Sequence, residues 1–214
     1  MAESDTKTPR ERYRAQVREE IKKHAWEQIA DAGASALSLN AIAKQIGMSG
    51  PALYRYFANR DELITELVRD AYRSLADTFQ ARAGADLAEL AHALREWALD
   101  DPHRYFLVYG TPVPGYQAPE DTTRIASEMM AVLLDACAAV GPDASPAAPL
   151  DDYLAEHRSW AREHQAPPPA LSRALLFWTR LHGVLSLELA GHFAGMGFDP
   201  AELYTAEVRA LGTP

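Results

Sequence analysis

Cysteine is nearly absent from this 214-residue chain, in which Cys137 is the only one. A disulfide bond within the chain is therefore excluded. The N-terminal residues have no apolar segment of the kind that marks a secretory signal, so we expect a reducing, cytoplasmic environment. No apolar run approaches the roughly 18 residues that would cross a bilayer, and we expect no membrane partner.

The sequence also lacks recognised catalytic and metal-binding patterns. It has no Gly-x-Ser-x-Gly elbow, no glycine loop that would cradle a phosphate, and no Cys/His pair at a familiar spacing. His157 and His164 are seven residues apart, whereas helical zinc sites place their ligands three or four apart. We therefore expect no catalytic residue, no metal site and no cofactor.

Basic residues are concentrated at one end of the chain. The net charge is −9, but residues 7–60 hold ten lysines and arginines against five acids, a net +5, so the remainder carries −14. An acidic body is repelled by phosphate while a basic end is attracted to it. Arg10, Arg12 and Arg14 are either a solvated helix end or an arm that touches phosphate or the minor groove.

Residues 38–60 have the pattern of two short helices joined by a tight turn. Ser38 is a good N-cap, apolar residues then recur at helical spacing, and Gly47 suits the end of the first helix. Ser49 is placed to cap the second helix, and Pro51 falls in its first turn, where a missing amide does little harm.

The second of these helices has one apolar face and one polar face. Leu53 and Phe57 are four residues apart and are predicted to point inward, whereas Arg55 lies off that face. The major groove of B-DNA admits one α-helix, and an arginine there can donate two hydrogen bonds to guanine. The pattern therefore predicts a helix-turn-helix that binds DNA; an αα-hairpin without that role is the alternative.

The same stretch resembles the N-terminal domain of tetracycline-repressor (TetR) family regulators over roughly residues 10–70. The resemblance lies in an ordered series of segments: Ala41-Ile42-Ala43, Gly47-Met48-Ser49, Leu53-Tyr54-Arg55-Tyr56-Phe57 and Asn59-Arg60-Asp61-Glu62-Leu63. It implies double-stranded operator DNA as a partner, with Arg55 in the major groove and Tyr54, Tyr56 and Arg60 at phosphates. The full set of expected DNA-binding residues is Ser38, Asn40, Lys44, Ser49, Gly50, Pro51, Ala52, Tyr54, Arg55, Tyr56 and Arg60.

The rest of the chain is predicted to be helical, which makes the fold all-α. Helical periodicity or capping signals cover residues 10–32, 60–82, 86–99, 102–109, 120–140, 150–165, 170–194 and 200–211. Proline and glycine predict irregular segments at 110–119 and 141–149. Because the helix over 60–82 is long, we place the domain boundary inside it, near Ala71, with a DNA-binding domain at 10–70 and an effector-binding and dimerisation domain at 71–214.

The larger domain carries a second, shorter resemblance. Trp178, His182 and Gly183 fit a Trp-x-x-x-His-Gly pattern found in one TetR-like subgroup. The family resemblance implies a homodimer through the two C-terminal helices, here residues 170–211. Small residues such as Gly183 and Ala190 would let two helices approach closely; a buried core helix of a monomer is the alternative.

Aromatic residues spread over several predicted helices suggest a cavity for a small, mostly apolar effector, although an aromatic residue taken singly is more often plain core. The expected ligand-binding residues are Trp97, His103, Tyr105, Phe106, Tyr109, Met129, Trp160, Phe177, Trp178 and His182. The prediction is a ligand-responsive regulator, most simply a repressor, that binds a palindromic operator. A small all-α enzyme or metal-binding protein with a helix-turn-helix-like hairpin is the alternative.

Overall fold

The computed structural model describes residues 8–110, 119–141, 148–161 and 164–212. These residues form α-helices, two short 3-10 helices and connecting turns, with no strand among them. The predicted irregular segment 110–119 lies almost wholly outside the described residues, and so does most of 141–149. In the described part of the chain, no helix is long and apolar enough to cross a bilayer.

Contacts divide the chain into two compact units, with the division falling between Arg69 and Asp70. The first contains α1 (Pro9–Ala32), a 3-10 helix (Ala34–Ala36), α2 (Leu39–Gln45), α3 (Gly50–Leu53) and the first half of α4 (Arg60–Gln80). The second contains the rest of α4, α5 (Leu87–Asp100), α6 (Pro102–Tyr109), α7 (Glu120–Ala139), α8 (Ala148–Glu156), a 3-10 helix (Ser159–Ala161), α9 (Pro168–Leu189) and α10 (Pro200–Gly212).

Capping explains where several of these helices begin. The Ser38 hydroxyl accepts from the Ala41 amide, as predicted, and the Asp101 carboxylate accepts from the Arg104 amide at the start of α6. Each bond satisfies one of the amides that a first helical turn leaves unpaired. Ser49 occupies the N-cap position of α3, but its side chain makes no capping bond, so that part of the prediction is wrong.

The predicted helix over 150–165 is also wrong in its extent. Helix α8 begins at Ala148 and ends at Glu156, and among the described residues up to 165 a 3-10 turn at Ser159–Ala161 follows it. The Arg158 guanidinium donates to the carbonyl oxygens of His164 and Ala166, which closes the chain into a loop. An arginine side chain that bonds carbonyls six and eight residues further along the chain leaves no periodic signal in the sequence.

Helix α9 differs from the predicted span of 170–194 at both ends. It begins at Pro168, because prolines in a first turn lose no helical hydrogen bond. It ends at Leu189, and Gly191 then adopts φ 77°, a left-handed conformation that favours glycine. The shortened helix is the centre of the second unit, where it packs against α5, α7, α8 and α10.

A fully buried arginine joins α9 to α7. Arg173 has no exposed surface, and its guanidinium donates to the Cys137 carbonyl at 2.7 Å. That carbonyl lies in the last turn of α7, where backbone acceptors lack helical partners and where the helix dipole favours a positive charge. In the same unit, the Tyr204 hydroxyl donates to the Ala91 carbonyl at 2.7 Å and so ties α10 to α5.

Candidate functional site

Helix α3 is a single turn, and the turn that follows it presents polar side chains from an apolar base. Leu53 and Phe57 have no exposed surface and lie in the core of the first unit, as their spacing predicts. Tyr54 is 45% exposed, and Arg55 is exposed beside it. The arrangement places a tyrosine and an arginine on the outside of a segment whose position is fixed from within.

Two arginines of α1 hold this short segment in place. Arg14 Nη2 donates to the Arg55 carbonyl at 3.0 Å, and Arg18 Nη1 donates to the Tyr56 carbonyl. The Arg18 guanidinium also lies 4.1 Å from the centre of the Phe57 ring. A four-residue helix has unpaired carbonyls at its end, and these contacts satisfy two carbonyls in the turn that follows it. No pattern in the sequence indicated the role of Arg18, because its partner Tyr56 lies 38 residues away.

The expected DNA-binding residues lie on α2, on α3, in the turns beside them and at the start of α4. Those whose side chains are exposed are Asn40, Lys44, Ser49, Pro51, Tyr54 and Arg55, and those that are partly buried are Ser38, Gly50, Ala52, Tyr56 and Arg60. Helix α2 contacts α3, and a Cβ atom placed on Gly50 would lie 3.6 Å from Asn40 Oδ1. The structure therefore brings Asn40 of α2 next to the start of α3.

Arg60 is less available to a phosphate than its sequence position suggests. Its Nη2 donates to the Ala34 carbonyl at 2.7 Å, and its Nη1 lies 3.7 Å from Asp61 Oδ1. The guanidinium thus links the start of α4 to the 3-10 helix. Any phosphate contact would have to use its remaining N–H groups.

In the second unit, five of the ten expected ligand-binding residues form one cluster of rings. Tyr105, Phe106 and Tyr109 come from α6, and Trp178 and His182 come from α9. The His182 ring centre lies 4.3 Å from that of Tyr109 and 4.4 Å from that of Trp178. Tyr105 and Tyr109 are four residues apart and so lie on one face of α6, and Trp178 and His182 lie in the same way on one face of α9. These two faces pack against each other.

Hydrogen bonds fix one side of this ring cluster. Tyr105 Oη lies 2.9 Å from His182 Nδ1 and 2.9 Å from Ser186 Oγ. Burial lowers the pKa of His182 to about 4, which keeps the imidazole neutral near neutral pH. Burial also raises the pKa of Tyr109, with the neighbouring tyrosines Tyr72 and Tyr105 adding to the effect. The sequence did not predict that Ser186 and Tyr72 belong to this cluster, since neither residue type nor spacing distinguishes them from other helical residues.

The remaining expected ligand residues lie elsewhere. Trp97 donates its indole N–H to Ser74 Oγ, and Arg104 lies over its ring. Trp160 lines a separate cleft of about 350 Å³ along α7. Met129 and Phe177 are core residues, 2% and 0% exposed, and His103 is exposed on α6.

His157 and His164, the two histidines considered as metal ligands, both lie outside the helices. His157 follows α8 and stacks on the exposed Tyr153, whereas His164 Nε2 lies 3.1 Å from Asp135 Oδ1. No group of three or more His, Cys, Asp and Glu side chains that could hold a metal ion occurs in the part of the chain that the structure describes.

Comparison with known proteins agrees with this architecture. Residues 21–67 match the family model for bacterial regulatory proteins of the tetR family, and residues 87–211 match that for the tetracyclin repressor-like C-terminal domain. The HTH-type transcriptional regulator Rv1816 of Mycobacterium tuberculosis is 35% identical over 216 residues, covering 92% of each chain. Its counterpart in Mycobacterium bovis, Mb1846, matches equally well.

Solved structures agree in the same way. The crystal structure of SCO4313, a protein assigned as regulatory, is 69% identical in sequence and superposes with a TM-score of 0.88 over 97% of this chain and all of that one. FadR from Bacillus subtilis, crystallised with stearoyl-CoA, shares the fold at 15% identity, with a TM-score of 0.53 over 91% of this chain and 97% of its own.

The fold and the family matches define a DNA-binding transcriptional regulator with an N-terminal helix-turn-helix. The chain belongs to the TetR family. This assignment confirms the family resemblance and the all-α fold predicted from the sequence. It also favours a regulator over the alternative of a small all-α enzyme or metal-binding protein.

Proposed function

We propose that this protein is a cytoplasmic, one-component repressor that binds a near-palindromic operator as a homodimer and is released by a small, mostly apolar effector. The observation that carries the proposal is the outward presentation of Tyr54 and Arg55 on a segment whose inner face, Leu53 and Phe57, is completely buried. The major groove of B-DNA admits one α-helix, so polar groups held rigidly on a short helical segment can reach the base edges there.

Within this proposal the exposed and partly buried side chains of the first unit have separate roles in DNA binding. Arg55 reads a base, because it projects away from the buried face and an arginine can bond guanine in a bidentate manner. Tyr54 and Tyr56 hold phosphates and set the register. Lys44 adds a positive charge from the last turn of α2. Arg60 contributes less than the sequence suggests, since Ala34 already engages its guanidinium.

The homodimer is proposed to form through α9 and α10. Gly183 and Leu187 lie along one side of α9, and Ala190 is the residue that caps its C-terminal end; all three are exposed in the single chain, with Leu187 at 44%. A Cβ atom on Gly183 would meet no atom of the described residues within 4 Å, which leaves room on that side of the helix for a second chain. A two-fold dimer reads two half-sites roughly 34–36 Å apart, which makes the operator a near-palindrome.

The proposed switch starts in the ring cluster. Tyr72 of α4 lies edge-on to Tyr109 of α6, with ring centres 6.2 Å apart, and Arg73 of α4 is bonded to Glu128 of α7. A ligand that displaces α6 or α7 would therefore move this part of α4. The same helix begins at Arg60, directly after the helix-turn-helix. A useful response of tenfold to a hundredfold needs only about 1.4–2.8 kcal/mol of coupling.

The test of DNA reading compares two arginines. Arg55→Ala should weaken binding to a duplex from the region upstream of the protein's own gene by roughly 1–3 kcal/mol and relax specificity at one base pair. Arg12→Ala removes the same charge from an exposed position on α1 and is the control for loss of charge, because a phosphate contact there would affect operator and random DNA alike. Equal losses for Arg55→Ala on operator and on random DNA, measured by gel shift, would refute the assignment.

A further inference from the structure

Two buried polar atoms in the ring cluster have no hydrogen-bond partner among the residues that the structure describes. They are Tyr109 Oη on α6 and His182 Nε2 on α9, and both are closed off from water. Their rings are neighbours, with centres 4.3 Å apart. Buried polar groups in native proteins are nearly always bonded, so two unpaired atoms on adjacent rings require an explanation.

The rest of the cluster is arranged so that these atoms remain available. His182 Nδ1 is held by Tyr105 Oη, which is itself held by Ser186 Oγ, so the imidazole cannot turn without losing a bond. Trp178 packs against both rings, at 4.4 Å from His182 and 5.7 Å from Tyr109. The ring orientation is therefore fixed by groups other than the two unpaired atoms.

The site is electrically neutral. Burial keeps the imidazole uncharged and the phenol protonated near neutral pH, through the lowered pKa of His182 and the raised pKa of Tyr109. Charged side chains on the same two helices are already in ion pairs: Arg104 pairs with Asp100, and Glu188 pairs with Arg95. A charged ligand group placed here would be desolvated without a countercharge, which is strongly unfavourable.

We propose that Tyr109 Oη and His182 Nε2 together bind one uncharged polar group, a hydroxyl, carbonyl or amide, of an otherwise apolar effector; this inference rests on the proposed function. A phenol both donates and accepts, and a neutral imidazole offers one donor or one acceptor at Nε2, so the pair complements such a group. Because the two rings are in contact, the ligand has to part α6 from α9 to reach them. Binding at this site and movement of α6 are therefore coupled.

The first arm of the test needs no ligand and uses the full chain. Tyr109→Phe deletes an unpaired buried hydroxyl, so its thermal midpoint should equal or exceed that of the wild type. Tyr105→Phe is the matched control, because it deletes a hydroxyl that has partners, and it should lower the midpoint by roughly 2–4 °C. A similar fall for Tyr109→Phe would show that its hydroxyl is bonded and would overturn the proposal.

The second arm measures binding by calorimetry in the absence of DNA, near neutral pH, with 2-naphthol and 2-naphthoate as probes. The naphthol should bind the wild type, bind Tyr109→Phe roughly fivefold more weakly, and exceed the naphthoate by at least about tenfold. Absence of naphthol binding, an unchanged affinity in Tyr109→Phe, or tighter binding of the naphthoate would each overturn the proposal. Naphthol binding without any loss of operator affinity would instead count against the repressor switch and leave the site standing.

Discussion

Arg18 offers a direct way to separate positioning of the DNA-reading segment from contact with DNA. Its guanidinium donates to the Tyr56 carbonyl, packs on the Phe57 ring and lies 3.4 Å from Glu66 Oε2. These contacts join α1 to the segment that follows α3. We expect Arg18→Ala to loosen that segment and to weaken recognition of the operator, although Arg18 itself touches no DNA in our proposal.

The size of the effect follows from the three contacts. A hydrogen bond from a charged group contributes about 1.5–3 kcal/mol, and a partly exposed cation–π contact about 0.5–1 kcal/mol. The ion pair with Glu66 adds at most about 1 kcal/mol, because both side chains are 24% exposed. The three share one guanidinium and do not simply add. We therefore expect a loss of about 2–3 kcal/mol in the unfolding free energy of the first unit.

The assay is fluorescence anisotropy with a labelled operator duplex and a random duplex over a series of salt concentrations. For Arg18→Ala the specificity ratio should fall about ten- to a hundredfold, whereas affinity for the random duplex and its salt dependence should be unchanged. Arg12→Ala, which removes an exposed charge from the same helix, should leave the ratio unaltered.

One result would refute this reasoning. If Arg18→Ala weakens both duplexes equally and the salt slope becomes smaller by about one, Arg18 neutralises a phosphate. Its contacts with Tyr56 and Phe57 would then be incidental to recognition. Circular dichroism on each variant confirms that the helices are retained before binding is compared.

The remaining predictions concern the dimer, two buried titratable groups and a phosphate contact. Leu187→Glu should give monomers in sedimentation at micromolar concentration, whereas Leu99→Glu, at a similarly exposed leucine on α5, should not. Burial raises the pKa of Cys137 to about 12, so iodoacetamide should label this thiol only after unfolding; labelling of the native protein at pH 8 would contradict the burial. The pKa of His182 is lowered to about 4, so between pH 6.5 and 4 the unfolded state binds a proton that the folded state does not. The free energy of unfolding should therefore fall by up to about 3 kcal/mol as the pH drops through this range. An equal fall in His182→Asn would show that another group causes it. Arg60→Ala should weaken binding to operator and random DNA alike. The loss of affinity should be smaller than for a typical phosphate contact, because in the wild type the Ala34 carbonyl already accepts a hydrogen bond from this guanidinium.

Local chemistry was enough to predict most helix boundaries and the inner face of the DNA-reading segment. Ser38 and Asp101 cap helices because a side-chain oxygen satisfies nearby amides, a property of a few adjacent residues. Leu53 and Phe57 point inward because their spacing matches one helical turn. Where the prediction failed, as over 150–165, the cause was a contact that the local pattern does not contain: Arg158 closes the loop through two carbonyls.

Only the tertiary structure decided which distant side chains meet. The sequence predicted ten ligand-binding residues without ranking them. In the folded structure five of them form one cluster, whereas Trp97, Trp160 and His103 lie elsewhere. It also revealed the contacts of Arg18 and the unpaired oxygen of Tyr109. Helical periodicity is set by neighbours three and four residues away, so it fixes which face of a helix is buried. The partner that covers that face depends on how whole helices pack, and no local pattern encodes it.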